Sequence, residues 1–232
     1  MAPAKILLIN DEPNILRTLR RNLISRGYEV SIAFDGEETQ LMISRTKFDL
    51  HILNLDFNTL DVDGLAICRQ MREVSLAPII VLSTVGSEKM KIEALDLGAD
   101  DYLVMPFSMG EFLARVRSAL RRWATYRSDK PQKVNLIVSD DLLIDSDSRQ
   151  VTMNGNEIHL TPTEYDLLHY LAKNEGKVIT HRVLLQAVWG PEYGDEREYL
   201  RVFISQLRRK IEQDSLHPQH ILTEPGVGYR FT

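Results

Sequence analysis

Residues 77–105, APIIVLSTVGSEKMKIEALDLGADDYLVM, decide the fold. APIIVLST (77–84) is a continuous apolar run and reads as a strand buried on both faces. Lys89 to Leu97 follows as a helix, which Gly98 ends. DYLVM (101–105) is the next short strand. The same alternation extends outward in both directions. KILLIN (5–10) is a buried-strand run, and Pro13 then opens a helix with Leu16, Leu19 and Leu23 on one face, closed by Gly27. YEVSIAF (28–34) and FDLHILNL (48–55) are strands; GEETQLMISRTK (36–47) and Gly64 to Glu73 are helices. Met109 to Arg122 supplies the last helix of the series. Five strand–helix repeats predict a doubly wound parallel α/β sheet over residues 1–122. Ligands in such sheets sit at the carboxyl ends of the strands, so the ends of the first, third, fourth and fifth strands are where chemistry is expected.

From Trp123 to Gln132 the pattern breaks into a polar segment with one proline, which predicts an interdomain linker. Residues 133–232 form a second, α+β domain. Positions 135–160 alternate with a two-residue period, and Asn154-Gly155 signals a hairpin. Thr161-Pro162-Thr163-Glu164 is a capped helix start, with the helix running to Lys173. Further helices are expected over Thr180 to Val188 and Arg197 to Glu212. HILTEPGVGYRF closes the chain as a hairpin around Gly226 and Gly228. Up to Lys210 the last helix carries Arg197, Arg201, Arg208, Arg209 and Lys210 against Glu198 alone, a local balance of +4. A helix–turn–helix with a basic second helix, followed by a glycine-containing hairpin tipped with Arg230, is a winged helix. Its helix enters the DNA major groove, and the wing reaches phosphates or a minor groove. The overall charge of −5 does not oppose this, because a local basic stripe matters more than the total.

The remaining composition narrows the class. With 232 residues, 44% apolar and 26% charged, the chain is globular and has no apolar run near the ~20 residues of a membrane span. The opening MAPAKILLIN is too short for a secretory signal, so a cytoplasmic location is expected. The single Cys68 excludes a disulfide framework and reads as a small core residue of the third helix. His51 reads as a packed or hydrogen-bonded strand residue rather than a ligand. No GxGxxG follows the first strand, no Walker loop is present, and the six histidines do not cluster. An enzyme is therefore not expected. A DNA-free interaction module is a further rival, disfavoured by the winged helix.

LTPTEYDLLHYLAKNEGKVITHRVLLQAVWG and YLRVFISQLRRKIEQDSLHPQHILTEPGVGYRF resemble the effector domain of the OmpR/PhoB response regulators, within which the KdpE branch is nearest. The resemblance implies base-facing Arg201, Val202, Ser205 and Gln206, and phosphate-facing Arg208, Arg209, Tyr229 and Arg197. Glu198 stands where many relatives carry Arg. A loop over Trp189 to Glu196 is implied as an RNA polymerase contact. GADDYLVMPFSMGEFLARVRSALRR (98–122) resembles the family's receiver domain, of flavodoxin- and CheY-like fold.

A working receiver transfers a phosphoryl group from a sensor histidine kinase to an Asp ending strand three, with Mg²⁺ held by acidic residues after strand one. A hydroxyl after strand four and a Lys after strand five bind the phosphoryl oxygens. Here Asn10-Asp11 replaces the acidic pair, so Asp11 alone clearly remains and Mg²⁺ is not expected to be required. Counted forward from Asp35-Gly36 and Asp49, the acceptor position falls on Asn54, whose carboxamide gives no stable acyl phosphate. Counted backward from Asp63-Gly64 it falls on Asp56. Loops absorb insertions more readily than strands and helices do, which favours Asn54. Met105 replaces the Lys, whereas Ser83 keeps the hydroxyl and Tyr102 the aromatic switch position. The expectation is a phosphorylation-independent dimerisation module, with a conventional switch on Asp56 as the alternative; whether a cognate kinase is a partner is left open. The family's dimer face is represented by Lys91 with Glu111, Asp96 with Arg117, and Asp101 with Arg115, flanking Ile92, Leu95 and Leu113. Such ion pairs contribute register and specificity more than affinity. A homodimer on two half-sites of promoter DNA, as direct repeats, is expected.

Overall fold

The computed structural model describes residues 2–56, 63–127, 136–139 and 141–232. They divide into two compact units, Met1–Trp123 and Ala124–Thr232. In the first unit β1 (Lys5–Ile9), α1 (Pro13–Ile24), β2 (Glu29–Ala33), α2 (Gly36–Arg45), β3 (Leu50–Asn54), α3 (Gly64–Val74), β4 (Ile79–Ser83), α4 (Glu88–Asp96), β5 (Asp101–Val104) and α5 (Met109–Arg127) alternate along the chain. The strands form one sheet in the order β2-β1-β3-β4-β5, and every pairing is parallel. All of β3 and β4, and β1 after Lys5, are buried, which accounts for their unbroken apolar runs. Leu16, Leu19 and Leu23 of α1 and Phe112 and Val116 of α5 pack into one core with Ile6, Leu8, Ile52, Ile80 and Leu103. Chain order reverses at β1, between β2 and β3, so the ends of β1 and β3 open a crevice between the loops that follow them.

Two polar residues buried here have no part in that crevice. Cys68 is fully buried, and burial pushes its thiol up to about 12. His51, within β3, is also fully buried; its ring lies edge-on to Phe48 at 6.0 Å, and neither ring nitrogen has a hydrogen-bond partner among the described residues. Of the two roles expected from sequence it is the packed one.

Helix α5 runs to Arg127, past the Arg122 at which the sequence pattern places its end. Trp123 contributes to the difference: its indole N–H donates to the Asp49 carboxylate at 3.2 Å, a tertiary contact no local pattern reveals. Residues 128–132 of the expected linker lie outside the described residues.

The second unit opens with β6 (Leu136–Ser139), β7 (Leu142–Asp145), β8 (Gln150–Met153) and β9 (Asn156–Ile158), an antiparallel sheet in sequence order. Asn154 and Gly155 both have positive φ, 51° and 78°, as the two-residue turn between β8 and β9 requires. α6 (Pro162–Lys173) starts at a complete capping box: the Glu164 amide donates to Thr161 Oγ1, and the Thr161 amide donates to Glu164 Oε2. β10 (Ile179–Thr180), α7 (His181–Val188) and α8 (Arg197–Ile211) follow, then the hairpin β11 (Ile221–Glu224) and β12 (Gly228–Phe231). β10 is legible only in three dimensions, because its two residues become a strand by pairing with β12. Gly228 permits that pairing; a Cβ there would lie 1.9 Å from the Ile179 carbonyl oxygen.

Burial holds the His51 imidazole down at about 3, with the charge of Arg72 acting in the same direction, against an ordinary 6.5. Below pH 6.5 the unfolded chain gains a proton that the native state refuses, so stability falls as pH drops from 6.5 toward 3. Replacing His51 with Leu is expected to flatten that acid limb. Unfolding free energy of the two chains, measured by urea titration across this pH window, checks it; equal slopes would refute it.

Candidate functional site

The carboxyl edge of the first sheet gathers Asn10, Asn54, Asp56, Ser83 and Tyr102. Asn10 directly follows β1 and is fully buried. Its Oδ1 accepts from the Glu12 amide at 2.7 Å and from Asn54 Nδ2 at 3.3 Å, while its own Nδ2 is buried without a partner among the described residues. Asn54 is the last residue of β3, 1% exposed. Its Oδ1 accepts the backbone amide of Asp56 at 3.2 Å. Two carboxamides thus face each other where strands one and three emerge.

Asp56, two residues on, turns its carboxylate toward the end of β4. Oδ1 accepts from Ser83 Oγ at 2.8 Å, and Oδ2 accepts from the Thr84 amide at 2.5 Å. Ser83 Oγ also accepts the Val85 amide at 3.0 Å. The Tyr102 hydroxyl donates to the Val85 carbonyl at 2.6 Å, and the ring is 3% exposed. Burial raises the Tyr102 pKa, and the Asp56 charge adds to the effect, over the opposing hydrogen bond with Ser83. Met105 is half-buried and lines a cleft of about 690 Å³ together with Ile15, Leu19, Phe107, Asp56 and Glu12. Among the described residues, no group of three or more His, Cys, Asp or Glu is placed to hold a metal ion.

On the α4–β5–α5 face the expected residues separate into two sets. Lys91 and Ile92 are half-buried, and Asp96, Glu111 and Arg117 are exposed. Leu95 and Leu113, expected to flank a dimer contact, are instead 0% and 3% exposed and serve the protomer's own interior. The expected Asp101–Arg115 pair forms within one chain: Arg115 Nη1 lies 2.8 Å from Asp101 Oδ1, and Nη2 lies 3.0 Å from Glu111 Oε1. One turn of α5 separates Glu111 from Arg115, so that intrachain pair costs little entropy.

In the second unit, α8 divides its residues between core and surface. Tyr199, Leu200, Phe203, Ile204, Leu207 and Ile211 are buried, with Trp189 edge-on to Phe203 at 5.2 Å and to Tyr199 at 5.9 Å. Arg197, Arg201, Ser205 and Arg209 recur every four residues on another face; the three arginines are exposed, and Ser205 and neighbouring Gln206 are half-buried. Four of the expected DNA contacts need correction. Val202 is 4% exposed and belongs to the apolar stripe, which is wider than an alternating pattern suggests. The Arg208 guanidinium donates to the Ile221 carbonyl from Nε at 3.0 Å and to Thr223 Oγ1 from Nη2 at 2.9 Å, bracing α8 against β11. Tyr229 is 5% exposed beneath the edge-on ring of His181, and burial raises its pKa. Arg230 Nη2 pairs with Glu224 Oε1 across the wing at 2.9 Å.

One participant was not anticipated. Burial lowers the His181 pKa, and the charges of Arg197 and Arg201 push it further down, so the start of α7 shares the electropositive field of α8. Its signal in the sequence was the Thr180 cap immediately before it; the cap places the ring at the helix start. Glu198 is half-buried within that first turn. In the 189–196 loop, Trp189 and Tyr193 are buried, leaving Pro191, Glu192 and Asp195 exposed.

A parallel receiver sheet followed by a winged helix with an arginine stripe is the arrangement of a DNA-binding response regulator. Residues 6–117 match the response regulator receiver domain, and residues 155–231 match the C-terminal domain of transcriptional regulatory proteins. The chain belongs to the OmpR/PhoB family of DNA-binding response regulators and is KdpE-like. It is 46% identical to the transcriptional regulatory protein KdpE of Mycobacterium tuberculosis over 97% of this chain and 98% of that one. It is 42% identical to the KDP operon transcriptional regulatory protein KdpE of Escherichia coli, with the same coverage. The crystal structure of DrrB, an OmpR/PhoB homologue from Thermotoga maritima, superimposes with a TM-score of 0.52 at 30% identity, covering 99% of both chains.

Removing the Arg115 side chain takes the ion pair from a carboxylate that is 1% exposed. Arg115→Ala is therefore expected to destabilise the receiver by about 3–5 kcal/mol. Chemical denaturation of the full chain measures it, and a loss under about 1 kcal/mol, typical of a surface pair, would contradict the buried assignment.

Proposed function

We propose that this protein regulates transcription as a DNA-bound dimer whose receiver works without phosphorylation of an aspartate. The observation that carries the reading is the carboxamide pair: Asn54 ends β3 and donates to the Asn10 amide oxygen. A carboxylate is the nucleophile in phosphoryl transfer to a receiver, and a neutral amide cannot replace it. Met105, an apolar side chain at the cleft, offers no charge to a phosphoryl oxygen. Asp56, the alternative acceptor, already has both oxygens engaged by Ser83 and Thr84. The donor set fits Mg²⁺ poorly as well. Asn10 supplies an amide whose oxygen is committed to Glu12 and Asn54, so of the pair Asn10-Asp11 only Asp11 is an acid, and the nearby Asp56 carboxylate is held by Ser83 and Thr84. In this reading no metal is required, the chain catalyses no reaction of its own, and a sensor kinase is not needed for DNA binding.

Dimerisation is proposed through the α4–β5–α5 face, with Lys91, Ile92, Asp96, Glu111 and Arg117 as its accessible members. On the DNA, Arg201, Ser205 and Gln206 are proposed to face base edges, with Arg197 and Arg209 on phosphates. Arg208, Tyr229 and Arg230 support the wing from within. The exposed residues of the 189–196 loop are proposed to meet RNA polymerase. No helix among the described residues is long and apolar enough to cross a membrane, in keeping with the proposed cytoplasmic location.

Arg209→Ala is expected to weaken binding to all DNA sequences alike and to lower the salt slope by about one unit. Arg201→Ala is expected to weaken operator binding more than non-specific binding. Titrations at several salt concentrations distinguish the two. Incubation of the full chain with acetyl phosphate and Mg²⁺ is expected to give no mass gain; a phosphate mapped to Asp56 would overturn phosphorylation independence.

A further inference from the structure

The two donors at the end of β4 form an anion site, and the chain supplies its own anion. Ser83 Oγ and the Thr84 amide converge on a single carboxylate, one on each oxygen of Asp56. That is how a protein holds a carboxylate or a phosphate: separate donors on separate oxygens of one charged group. The base of the Asp56 side chain is itself fixed, because its backbone amide is bound by the Asn54 carboxamide. From the anion the order passes inward. Ser83 Oγ receives the Val85 amide, and the Val85 carbonyl receives the Tyr102 hydroxyl.

The neighbouring substitutions fit this arrangement as a set. A second carboxylate at position 54 would lie two residues from Asp56 and repel it; the amide there is neutral and still accepts the Asp56 backbone N–H. Met105 brings no cation that would draw the Asp56 carboxylate away from Ser83 and Thr84. We infer that Asp56 is a positioning residue whose carboxylate permanently occupies the receiver's anion site, holding Ser83 and, through Val85, the buried Tyr102 in place. The inference deepens the reading that this receiver is not phosphorylated, and it rests on that reading for its regulatory meaning.

Chemical rescue in the full chain tests it. Tyr102 is followed by fluorine NMR of fluorotyrosine-labelled protein, with its line assigned from Tyr102→Phe. Asp56→Ala vacates the site, and its Tyr102 line is expected to shift and broaden. Acetate, or inorganic phosphate, should restore the wild-type line, whereas chloride at equal ionic strength should not. The wild-type line should respond to none of the three. Asp56→Asn, close to isosteric, keeps the test valid should the alanine variant fail to fold, and it is expected to alter the same line because its amide nitrogen cannot accept from either donor. Ser83→Ala should disturb Tyr102 without any rescue by acetate. An unchanged Tyr102 line in either folded Asp56 variant overturns the inference, as does a changed line in Asp56→Ala that neither acetate nor phosphate restores. Phosphate found on Asp56 of the wild type after treatment with acetyl phosphate would instead defeat phosphorylation independence, a separate outcome read by mass.

Discussion

Strands buried on both faces leave a charged side chain only the strand ends, and at those ends it must find a partner. In the receiver sheet β3 and β4 are buried along their whole length, and the one histidine within them, His51, is held neutral by burial. An isolated ionised group there would suffer a desolvation cost of several kcal/mol. The carboxyl edge meets the constraint by lowering its charge and sharing what is left. Asn54 donates to the Asn10 amide oxygen as one neutral amide to another, and the carboxylate of Asp56 is divided between Ser83 and the backbone of Thr84. Tyr102 joins the same network through Val85, on the strand that borders α4 and α5. The chemistry of the edge and the order of the neighbouring face are therefore linked through hydrogen bonds a few residues long.

A second constraint shapes the DNA-binding unit: one helix must fill a core and present a surface. Helix α8 resolves it by period, giving one broad stripe with Phe203 and Leu207 to the core, where Phe203 meets Trp189, and leaving an every-fourth-residue row of Arg197, Arg201, Ser205 and Arg209. The basic residues are not equivalent. Arg208 is spent on the Ile221 carbonyl, Lys210 lies 2.7 Å from Glu164 at the start of α6, and Arg230 is neutralised by Glu224. A charge count thus overstates what DNA can meet. The braced residues give rigidity to the helix and wing that the exposed arginines need.

Much of this was legible in the chain. Pro13, Thr161 and Asn154-Gly155 act within a few residues of themselves, so capping and turn chemistry placed α1, α6 and the β8–β9 turn correctly. Apolar runs at 5–10 and 77–84 marked buried strands, since both faces of a parallel sheet are covered. What escaped was long-range. Near the end of α5 Trp123 reaches Asp49, 74 positions away, and β10 is a strand through its pairing with β12. Val202 and Leu113 were misassigned because an apolar residue beside a functional stripe reads the same in one dimension whether it faces in or out.

The sequence by itself determined the two domains, their order, and the residue types available at the receiver's edge, because periodicity, caps and turns are local properties of the chain. Tertiary structure alone decided which of those residues meet. Asn54 faces Asn10 across 44 positions and Asp56 reaches Ser83 across 27, separations over which no periodicity carries information and only the pairing of β1, β3 and β4 brings side chains within hydrogen-bond reach.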